Sequence, residues 1–522
     1  GWDYVIDPRT MPHVLQRQAD GSYTFGPWDK WEDRRVGDEE TNKAPSFISG
    51  DNLKFVQDMF LFRNRLGFLC NDSVILSRAG DYFNFFNKSA LAVGSDDPID
   101  VAVSVDKPVK LQYVHADTAG LLLFGESQQF LLTTDSDLLS PITAKVNSLT
   151  GFSSAKDLRA MSLGGTSAFF SKTEKSTKFF ELVQLNSLEA PDYVEQTKLV
   201  PELLPETIDS VVVSSTASTL TFIEKGTNIA YLYTFLKVGN KEVTKSWYRW
   251  ELPGNIVHQF FDASLYKTVT RDSTGLYHLH SYDYSSSNLD GVLALPNGQY
   301  TDLRLDNWVR NPYSVYNSSK DCTRYELPTG TYTENTGRLT IVLFAGEAEN
   351  AESPIFYPQA YRYGDTSNGI DTDEFTDESW YLDIPGDWRG YQAVIGYTYD
   401  MRVELPKFYS RNEDGQGENT KADTSANLII HRLKVKCGVS GPVDYEVKIL
   451  GRDTYTTSVT FTPAGQYQLN TVNVTDSSEH TVPIYQRNDN VSVAIIGSTP
   501  FPVTLESLNW EGRLNSNFYA RL

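Results

Sequence analysis

The feature that most constrains the fold is a long succession of short apolar runs with the composition of β-strands. Runs such as "DVAVSV", "VKLQYVH", "GLLLFG" and "LTIVLFAG" are rich in β-branched and aromatic residues and end at polar or glycine-containing turns. No segment keeps an apolar period of 3.6 residues over many positions, which an amphipathic helix requires. Thirty tyrosines and twenty-seven phenylalanines also favour strands. The sequence therefore predicts an all-β protein.

These runs recur with a regular spacing in the first half of the chain. Within residues 55–283 each unit consists of an apolar strand, a polar turn and an aromatic strand, as in "TLTFIEKGTNIAYLYTFL". The units repeat at intervals of roughly 40 to 55 residues, the length of one four-stranded propeller blade, and begin near Leu66, Gly120, Thr166, Thr219 and His258. We predict a β-propeller of about five blades; a series of sandwiches stays open, because no strict signature marks each unit.

Two polar segments predict boundaries farther along the chain. "DYSSSNLDG" is a Ser/Asn/Gly cluster, and "RNEDGQGENTKADTS" is polar enough to be mobile. After the second, "LIIHRLKVKCG" and "DYEVKIL" alternate in steps of two, a pattern typical of a small antiparallel sandwich. Five domains are predicted. They are an N-terminal segment that completes one side of the propeller (1–52), the propeller itself (53–289), an irregular β region with long loops (290–410), a mobile loop (411–424) and a C-terminal sandwich (425–522).

Charge limits the partners. The net charge is −21 and the isoelectric point about 4.8, whereas tight DNA binding needs Lys and Arg against the phosphates. An acidic surface still suits a passage through which DNA slides without adhering. No run of eighteen apolar residues and no secretory leader is visible, so no membrane span is predicted. The start, "GWDYVIDPRTMP", lacks an initiator Met, and we expect a fragment without its N-terminal part.

Candidate metal and cofactor sites are few. Cys70, Cys322 and Cys437 lie far apart and form no CxxC pair, so no disulfide framework is expected. His278 and His280 would project from one face of a strand and, with Asp283, could hold a metal; surface or packing roles are favoured. The acidic loop "GIDTDEFTDES" could attract calcium but departs from EF-hand spacing, and we interpret it as solvated; its acids are Asp371, Asp373, Asp377 and Glu378. No metal and no cofactor are predicted.

An enzyme would need a recognisable catalytic constellation. No GxSxG, P-loop, GxGxxG before a helix or HExxH occurs. Glycoside hydrolysis needs two carboxylates at a set separation, and an acidic protein rich in Trp and Tyr could handle sugars. Asp96 and Asp97 are adjacent and suit a turn before "IDVAVSV" better than catalysis. No catalytic residue is predicted.

Two arginines interrupt the apolar stretch "FLFRNRLGFLC". If residues 60–68 form one strand, Arg63 and Arg65 lie side by side on one face and need carboxylate or carbonyl partners. "SRAGD" predicts a turn in which Gly80 supplies conformational freedom and Asp81 a partner, followed by "YFNFF" as a returning hairpin arm. We interpret the arginines as a paired cluster that fixes the register of one blade or of a junction between blades; an arginine ring at a subunit interface is the alternative.

The same stretch carries a family resemblance. "FLFRNRLGFLCNDSVILSRAGDYFNFF", with "SWYRWELPGNIV" and the ending "SLNWEGRLNSNFYARL", resembles the tail tubular protein B, or nozzle protein, family of short-tailed bacteriophages. The resemblance covers most of the chain and is weakest over residues 290–425. It maps six residues with structural roles and no catalytic ones: Arg63, Asn64, Arg65, Ser77, Arg78 and Asp81.

The resemblance implies a function. It implies a homo-oligomer, a hexameric nozzle in the virion tail below the portal and adaptor, made in the bacterial host cytoplasm. Genomic DNA would pass through it into the host without tight binding, gating loops within residues 290–425 would close the channel, and the adaptor (tail tubular protein A) and tail fibres would be its partners. Two alternatives stay open. One is a virion-associated polysaccharide depolymerase, and the other is a receptor-binding module that uses the loop at residues 411–425.

Overall fold

The computed structural model describes most of the chain, and its contacts divide into two units, Gly1–Ser286 and Ser287–Leu522. The described residues are 5–48, 55–104, 108–117, 120–134, 138–183, 192–238, 241–283, 292–294, 300–326, 338–345, 359–362, 381–409, 411–413, 419–422, 427–461 and 472–515.

The first unit contains a two-stranded hairpin and then five antiparallel sheets, each formed by strands consecutive in sequence. The hairpin is β1 (Val14–Arg17) and β2 (Tyr23–Gly26). The first two sheets are β3 (Val56–Phe62), β4 (Arg65–Cys70), β5 (Ser73–Leu76) and β6 (Ile99–Ala102), then β7 (Leu111–Asp117), β8 (Gly120–Gly125), β9 (Gln129–Thr134) and β10 (Ala144–Thr150). The third is β11 (Met161–Ser162), β12 (Ser167–Lys172), β13 (Thr177–Val183) and β14 (Asp192–Glu195). The last two are β15 (Ser210–Ser214), β16 (Thr219–Ile223), β17 (Ile229–Val238) and β18 (Lys241–Glu251), then β19 (Asn255–Asp262), β20 (Leu265–Arg271) and β21 (Tyr277–Asp283).

Neighbouring sheets pack through their side chains. Strands in the middle of the first four sheets are apolar on both faces, so each of these sheets contributes to two cores. In the second sheet, Leu121 and Leu123 pack toward the first sheet, whereas Leu122 and Phe124 pack toward the third. Further clusters join the third sheet to the fourth and the fourth to the fifth. At roughly 25 cal/mol per Å² of buried apolar surface, these shared cores are the main stabilising contribution to the unit.

The first sheet is covered on its other side by the N-terminal segment. Trp31 packs on Phe68 and Phe85, with ring centroids 6.1 and 6.3 Å away, in a cluster that also contains Ile6 and Phe86. The prediction that "YFNFF" forms a hairpin arm is therefore wrong: these residues are turn and loop, and the rings of Phe83, Phe85 and Phe86 pack in this core, whereas Tyr82 is 38% exposed. The residues of this run are aromatic because their rings are buried in the core, and not because the run pairs as a strand.

The second unit contains the remaining strands. They are β22 (Val292–Ala294), β23 (Tyr300–Asp302), β24 (Asp306–Arg310), β25 (Ser314–Asn317), β26 (Cys322–Glu326), β27 (Leu339–Ala345), β28 (Gln359–Arg362), β29 (Tyr381–Pro385), β30 (Tyr391–Tyr397), β31 (Met401–Glu404), β32 (Arg411–Glu413), β33 (Asn419–Ala422), β34 (Asn427–Cys437), β35 (Val443–Ile449), β36 (Tyr455–Val459), β37 (Ser478–Arg487), β38 (Val491–Gly497) and β39 (Leu505–Asn515).

Two pairs of sheets build this unit. The sheet β24-β30-β27-β28 faces the sheet β25-β26-β29 across a core that includes Ile341, Ile384 and Ile395. The sheet β31-β38-β35-β36 faces β37-β34-β39 across a second core that includes Val435 and Tyr445. Alternating burial along β34, β35 and β37 matches the two-residue period of the sequence. The second pair is the C-terminal sandwich.

The predicted fold class is confirmed: the protein is all-β, with five successive propeller-type sheets and a C-terminal sandwich. β32 and β33 pair within the segment predicted as a mobile loop. All three cysteines are buried and form no disulfide. In the described part of the chain, no helix has the length and hydropathy needed to cross a bilayer.

Candidate functional site: the arginine centre of the first sheet

The two arginines of the apolar stretch lie in different environments. Residues 60–68 are not one strand, as the sequence analysis expected, because β3 ends at Phe62 and β4 begins at Arg65. Arg63 and Asn64 form the two-residue turn between them, with φ of 44° and 61°. Two positive φ values are typical of the turns whose twist matches a β-hairpin. Arg63 is therefore exposed at the turn, whereas Arg65 enters the sheet and is 1% exposed.

Arg65 uses its buried guanidinium to bind carbonyl oxygens from three segments. Its two terminal nitrogens donate to the carbonyls of Ser77 at 2.7 Å, Asp97 at 2.7 Å, Ser95 at 3.0 Å and Leu139 at 3.3 Å. Burial lowers the pKa of Arg65, and the neighbouring carboxylates of Asp96 and Asp97 oppose that shift. These contacts supply the partners without which a buried charge would cost several kcal/mol.

Arg78 provides the second cation of the centre. It lies 3.0 Å from a carboxylate oxygen of Asp96, 3.6 Å from Asp81 and 3.9 Å from Asp97. The hydrogen bond from Arg78 is the main reason that the pKa of Asp96 is lowered. Asp97 is buried and accepts the backbone N–H groups of Lys88 at 2.9 Å and Gly94 at 2.7 Å. Asp96 and Asp97 thus form the turn that the sequence predicts and also neutralise both arginines.

Ser77 and Asn64 join this centre through hydrogen bonds, and Arg63 lies beside them in the hairpin turn. Ser77 accepts the N–H of Leu66 at 3.0 Å and donates to the carbonyl of Arg78 at 3.1 Å. Gly80, with φ of 74°, donates its N–H to the carbonyl of Asn64 at 2.9 Å, which closes the "SRAGD" turn onto the hairpin turn. Asn64 also accepts the hydroxyl of Tyr82. The structure therefore brings all six predicted residues to one end of the first sheet.

The arrangement holds two loops in place. Arg65 joins the loop that carries Ser95 and Asp97, between β5 and β6, to the loop that carries Leu139, between β9 and β10. Neither Asp97 nor the carbonyl of Leu139 is predicted from the sequence as a partner of Arg65. The acidic turn that contains Asp97 was a sequence signal for a partner of Arg65. The backbone carbonyl of Leu139, from the next sheet, has no corresponding signal in the sequence. The centre connects the first sheet to the second.

Comparable polar contacts connect successive sheets of the first unit. Asp58 is buried, accepts the N–H of Val114 at 3.1 Å and forms an ion pair with Arg159. The buried Glu181 lies 3.3 Å from Lys245 of the fourth sheet. Gln259 of the fifth sheet donates to the carbonyls of Ser210 at 3.0 Å and Thr221 at 3.2 Å. Buried, fully paired groups of this kind favour one arrangement of the sheets over others.

The histidine pair is occupied by neighbouring side chains. His278 and His280 do share one face of β21, with ring centroids 6.3 Å apart. His278 lies 2.8 Å from Asp272 and His280 lies 2.8 Å from Thr270. Asp283 projects from the opposite face, because it is an odd number of residues from both, so the suggested ligand set does not assemble. Burial lowers the pKa of His280 to about 4, with the charge of His278 adding to the shift.

No group of three metal-ligating side chains was found among the described residues. The predicted acidic loop, with Asp371, Asp373, Asp377 and Glu378, lies outside the described residues. The residues of the arginine centre are likewise engaged with one another and with backbone carbonyls. This is the chemistry of a structural clamp.

Comparison with known proteins identifies the family. A sequence model of the family described as "Bacteriophage nozzle protein" matches residues 1–521. The chain belongs to the bacteriophage nozzle protein family. This nozzle-family chain is 26% identical over 511 residues to the tail tubular protein gp12 of Escherichia phage T7. The aligned residues cover 96% of this chain and 60% of that relative. It therefore spans about 60% of the length of the curated relative it matches.

Solved structures overlap with the nozzle-family chain only loosely. The WD40 domain of coronin from Toxoplasma gondii is 12% identical, with a TM-score of 0.30 over 45% of this chain and 58% of that one. An exo-β-1,3-galactanase from Phanerochaete chrysosporium is 10% identical, with a TM-score of 0.21 over 87% of this chain and 95% of that one. Overlaps this low carry no argument about shape or activity.

Proposed function

We propose that this nozzle-family chain is a structural part of a short-tailed phage virion tail, where several copies form the ring through which genomic DNA leaves the particle. The observation that carries the proposal is the family match over residues 1–521. The relative in phage T7 is itself named a tail tubular protein. The chain would be made in the host cytoplasm and built into the tail.

The charge of the chain supports passage of DNA without retention. The net charge is −21, and DNA affinity comes from Lys and Arg side chains that replace the counterions of the phosphates. Arg65 is buried and Arg78 is bound to carboxylates, so two of the three arginines of the family stretch are not available to phosphate; Arg63 is exposed. A channel built from such chains would repel the DNA backbone.

The packing of the first unit supports a rigid channel wall. Each junction between successive sheets contains an apolar core, and buried polar contacts at Asp58, Glu181 and Gln259 lie at three of the four junctions. Close-packed interiors of this kind resist deformation. The proposed role needs stiffness and no reaction, and we assign no catalytic residue.

The finer features of the proposal concern assembly. We place six copies in the ring, the adaptor (tail tubular protein A) and tail fibres in contact with it, and the gating loops within residues 290–425. We further propose the five-part division predicted from the sequence as the functional division of the chain, with Met401–Glu404 added to the sandwich because β31 pairs with β38. The T7 relative is longer, and its partners are extended to this chain only as part of this proposal.

Electron microscopy of virions tests the location. Leu199 is 93% exposed, so a short peptide tag inserted after it should leave the fold intact. Gold-labelled antibody should mark the tail of tagged virions and leave untagged virions unlabelled. Label on the capsid alone, or tagged chain absent from purified virions, would refute the proposal.

A second measurement separates the structural role from the depolymerase alternative. Purified chain is incubated with host capsule polysaccharide, and reducing ends are measured against a heat-denatured sample. We expect no release above that control. Release that survives further purification, and is lost on substitution of a specific carboxylate, would establish an enzyme instead.

A further inference from the structure

The fifth sheet of the first unit has one buried face and one exposed face. Tyr266, Thr268 and Thr270 of β20 are buried and point toward the fourth sheet. The alternate residues of β20 and β21 point away from it. Among them, Tyr277 is 63% and Leu279 66% exposed, beside the partly exposed Val269 that pairs with Leu279. We name this surface, which is defined by Val269, Arg271, Tyr277 and Leu279, the outer face of the fifth sheet.

Arg271 gives the outer face a cationic group. Its guanidinium lies 5.7 Å from the ring centroid of Tyr277, its cross-strand neighbour. No carboxylate lies within ion-pair distance of Arg271 in the part of the chain that the structure describes. An exposed arginine stacked on tyrosine beside an aliphatic side chain has the composition of an interface hot spot.

A second surface of the same unit has the complementary chemistry. The two loops that Arg65 ties together carry exposed aliphatic side chains: Leu91 is 98%, Val93 51%, Leu138 58% and Ile142 75% exposed. The carboxylate of Asp96, 48% exposed, lies in the first of these loops. We name these residues the clamped-loop surface. It offers aliphatic groups and an acid where the outer face offers an aromatic ring, an aliphatic group and a base.

We propose that the outer face of the fifth sheet binds the clamped-loop surface of a second copy of this chain. The contact joins two different surfaces, so a pair of copies keeps one surface of each kind open for further copies, and repetition gives a ring when the rotation closes. Arg271 would meet carboxylates such as Asp96 at the edge of the contact, while Tyr277 and Leu279 lose water against the aliphatic loop tips. The inference rests on the proposed ring and names the surfaces that form it.

The arginine centre acquires a role in this contact. By holding Ser95 and Leu139 on one guanidinium, Arg65 fixes both loops before association. A surface ordered in advance loses less conformational entropy on binding. The buried Arg65 thus acts as a positioning group for an interface that it does not itself touch.

Site-specific cross-linking of the full chain tests the contact. The native cysteines are buried, so single variants Leu91→Cys and Leu279→Cys carry one accessible thiol each. A mixture of the two variants, treated with a short bis-maleimide, should give a covalent dimer joined between positions 91 and 279, identified by peptide mass spectrometry. Each variant alone should stay monomeric on a denaturing gel. Leu199→Cys, at a position 93% exposed and outside both surfaces, is the matched control and should not cross-link to Leu279→Cys.

Charge reversal supplies a second readout. Arg271→Glu, introduced into the Leu279→Cys chain, should lower the yield of cross-linked dimer at least about fivefold, equivalent to about 1 kcal/mol. Arg249→Glu changes an arginine that is 53% exposed on β18 and should leave the yield unchanged. Circular dichroism of each variant verifies the fold.

Three results would overturn the inference. They are the absence of the 91–279 link at the highest soluble concentration, a self-link by Leu279→Cys alone, or equal loss of yield in both charge variants. Each of these leaves the location of the chain untouched, because tagged virions report on that separately. If the tag is found in the tail and no 91–279 link forms, the proposed contact surfaces are wrong and the proposed function stands.

Discussion

At the scale of single residues, the burial of Arg65 determines how the first sheet is held. Replacing Arg65 with Met removes the charge and leaves the carbonyls of Ser77 and Asp97 without their donor. We expect the free energy of opening β4 and β5 to fall by about 3 to 5 kcal/mol, the usual cost of breaking a buried charged network. Hydrogen exchange of β4 and β5 amides measures this. Arg63→Met, at the exposed turn, should change the same amides by less than about 1 kcal/mol; equal effects would contradict the account.

Asp306 provides a pH-dependent prediction at the same scale. It pairs with Tyr397 at the start of β24, and burial raises its pKa from 3.8 to about 6. A carboxyl group with a raised pKa in the folded state favours folding in its protonated form. Its contribution is therefore complete below about pH 4 and is lost as the pH rises through about 6.

Asp306→Asn removes this titration. The variant should be more stable than the parent at pH 7.5 by about 1 to 3 kcal/mol, with little difference at pH 4, because a shift of one pKa unit corresponds to about 1.4 kcal/mol. Hydrogen exchange of β24 and β30 at several pH values measures the difference. Asp453→Asn changes an exposed acid in the same unit and should leave that profile unaltered. A pH-independent effect of Asp306→Asn would refute the assignment.

At the scale of elements, the sequence predicts best those strands that are buried on both faces. β8 and β16 are buried throughout and appear as continuous apolar runs, so the spacing of such runs located the five sheets. The turn at Arg63 and Asn64 was missed because no glycine marks it; Asn64, which tolerates positive φ, was the only local signal. The aromatic run after Asp81 has the composition of a strand. Its rings are buried against Trp31, which is distant in the sequence, so the run forms a loop without strand pairing. Distant packing of this kind is not encoded by local periodicity.

Gly120 tests the register of the second sheet. Its φ is 149°, and a Cβ added there would lie 2.4 Å from the carbonyl oxygen of Leu132 on the neighbouring strand. Since that atom is backbone, Gly120→Ala must displace the β8–β9 pair, and we expect a loss of at least about 2 kcal/mol. Gly151→Ala meets no atom within 4 Å and is the matched control. The stability of β8 and β9 in the two variants is compared by thermal unfolding monitored by hydrogen exchange of their amides. Similar losses of stability in both variants would contradict this register.

At the scale of the whole molecule, the apolar cores of the described chain each stay within one unit. The clusters around Leu69, Phe170 and Trp31 lie in residues 1–286, and those around Ile341 and Val435 lie in residues 287–522. A unit with its own core can fold alone. The two segments, expressed as separate chains, should therefore each unfold cooperatively in urea, with exchange-protected strands at the same positions as in the whole chain. Mixing the two segments should leave the free energy of unfolding of each one unchanged to within about 1 kcal/mol. Aggregation of residues 1–286 alone, cured by adding residues 287–522, would indicate that the five sheets depend on the second unit for their stability.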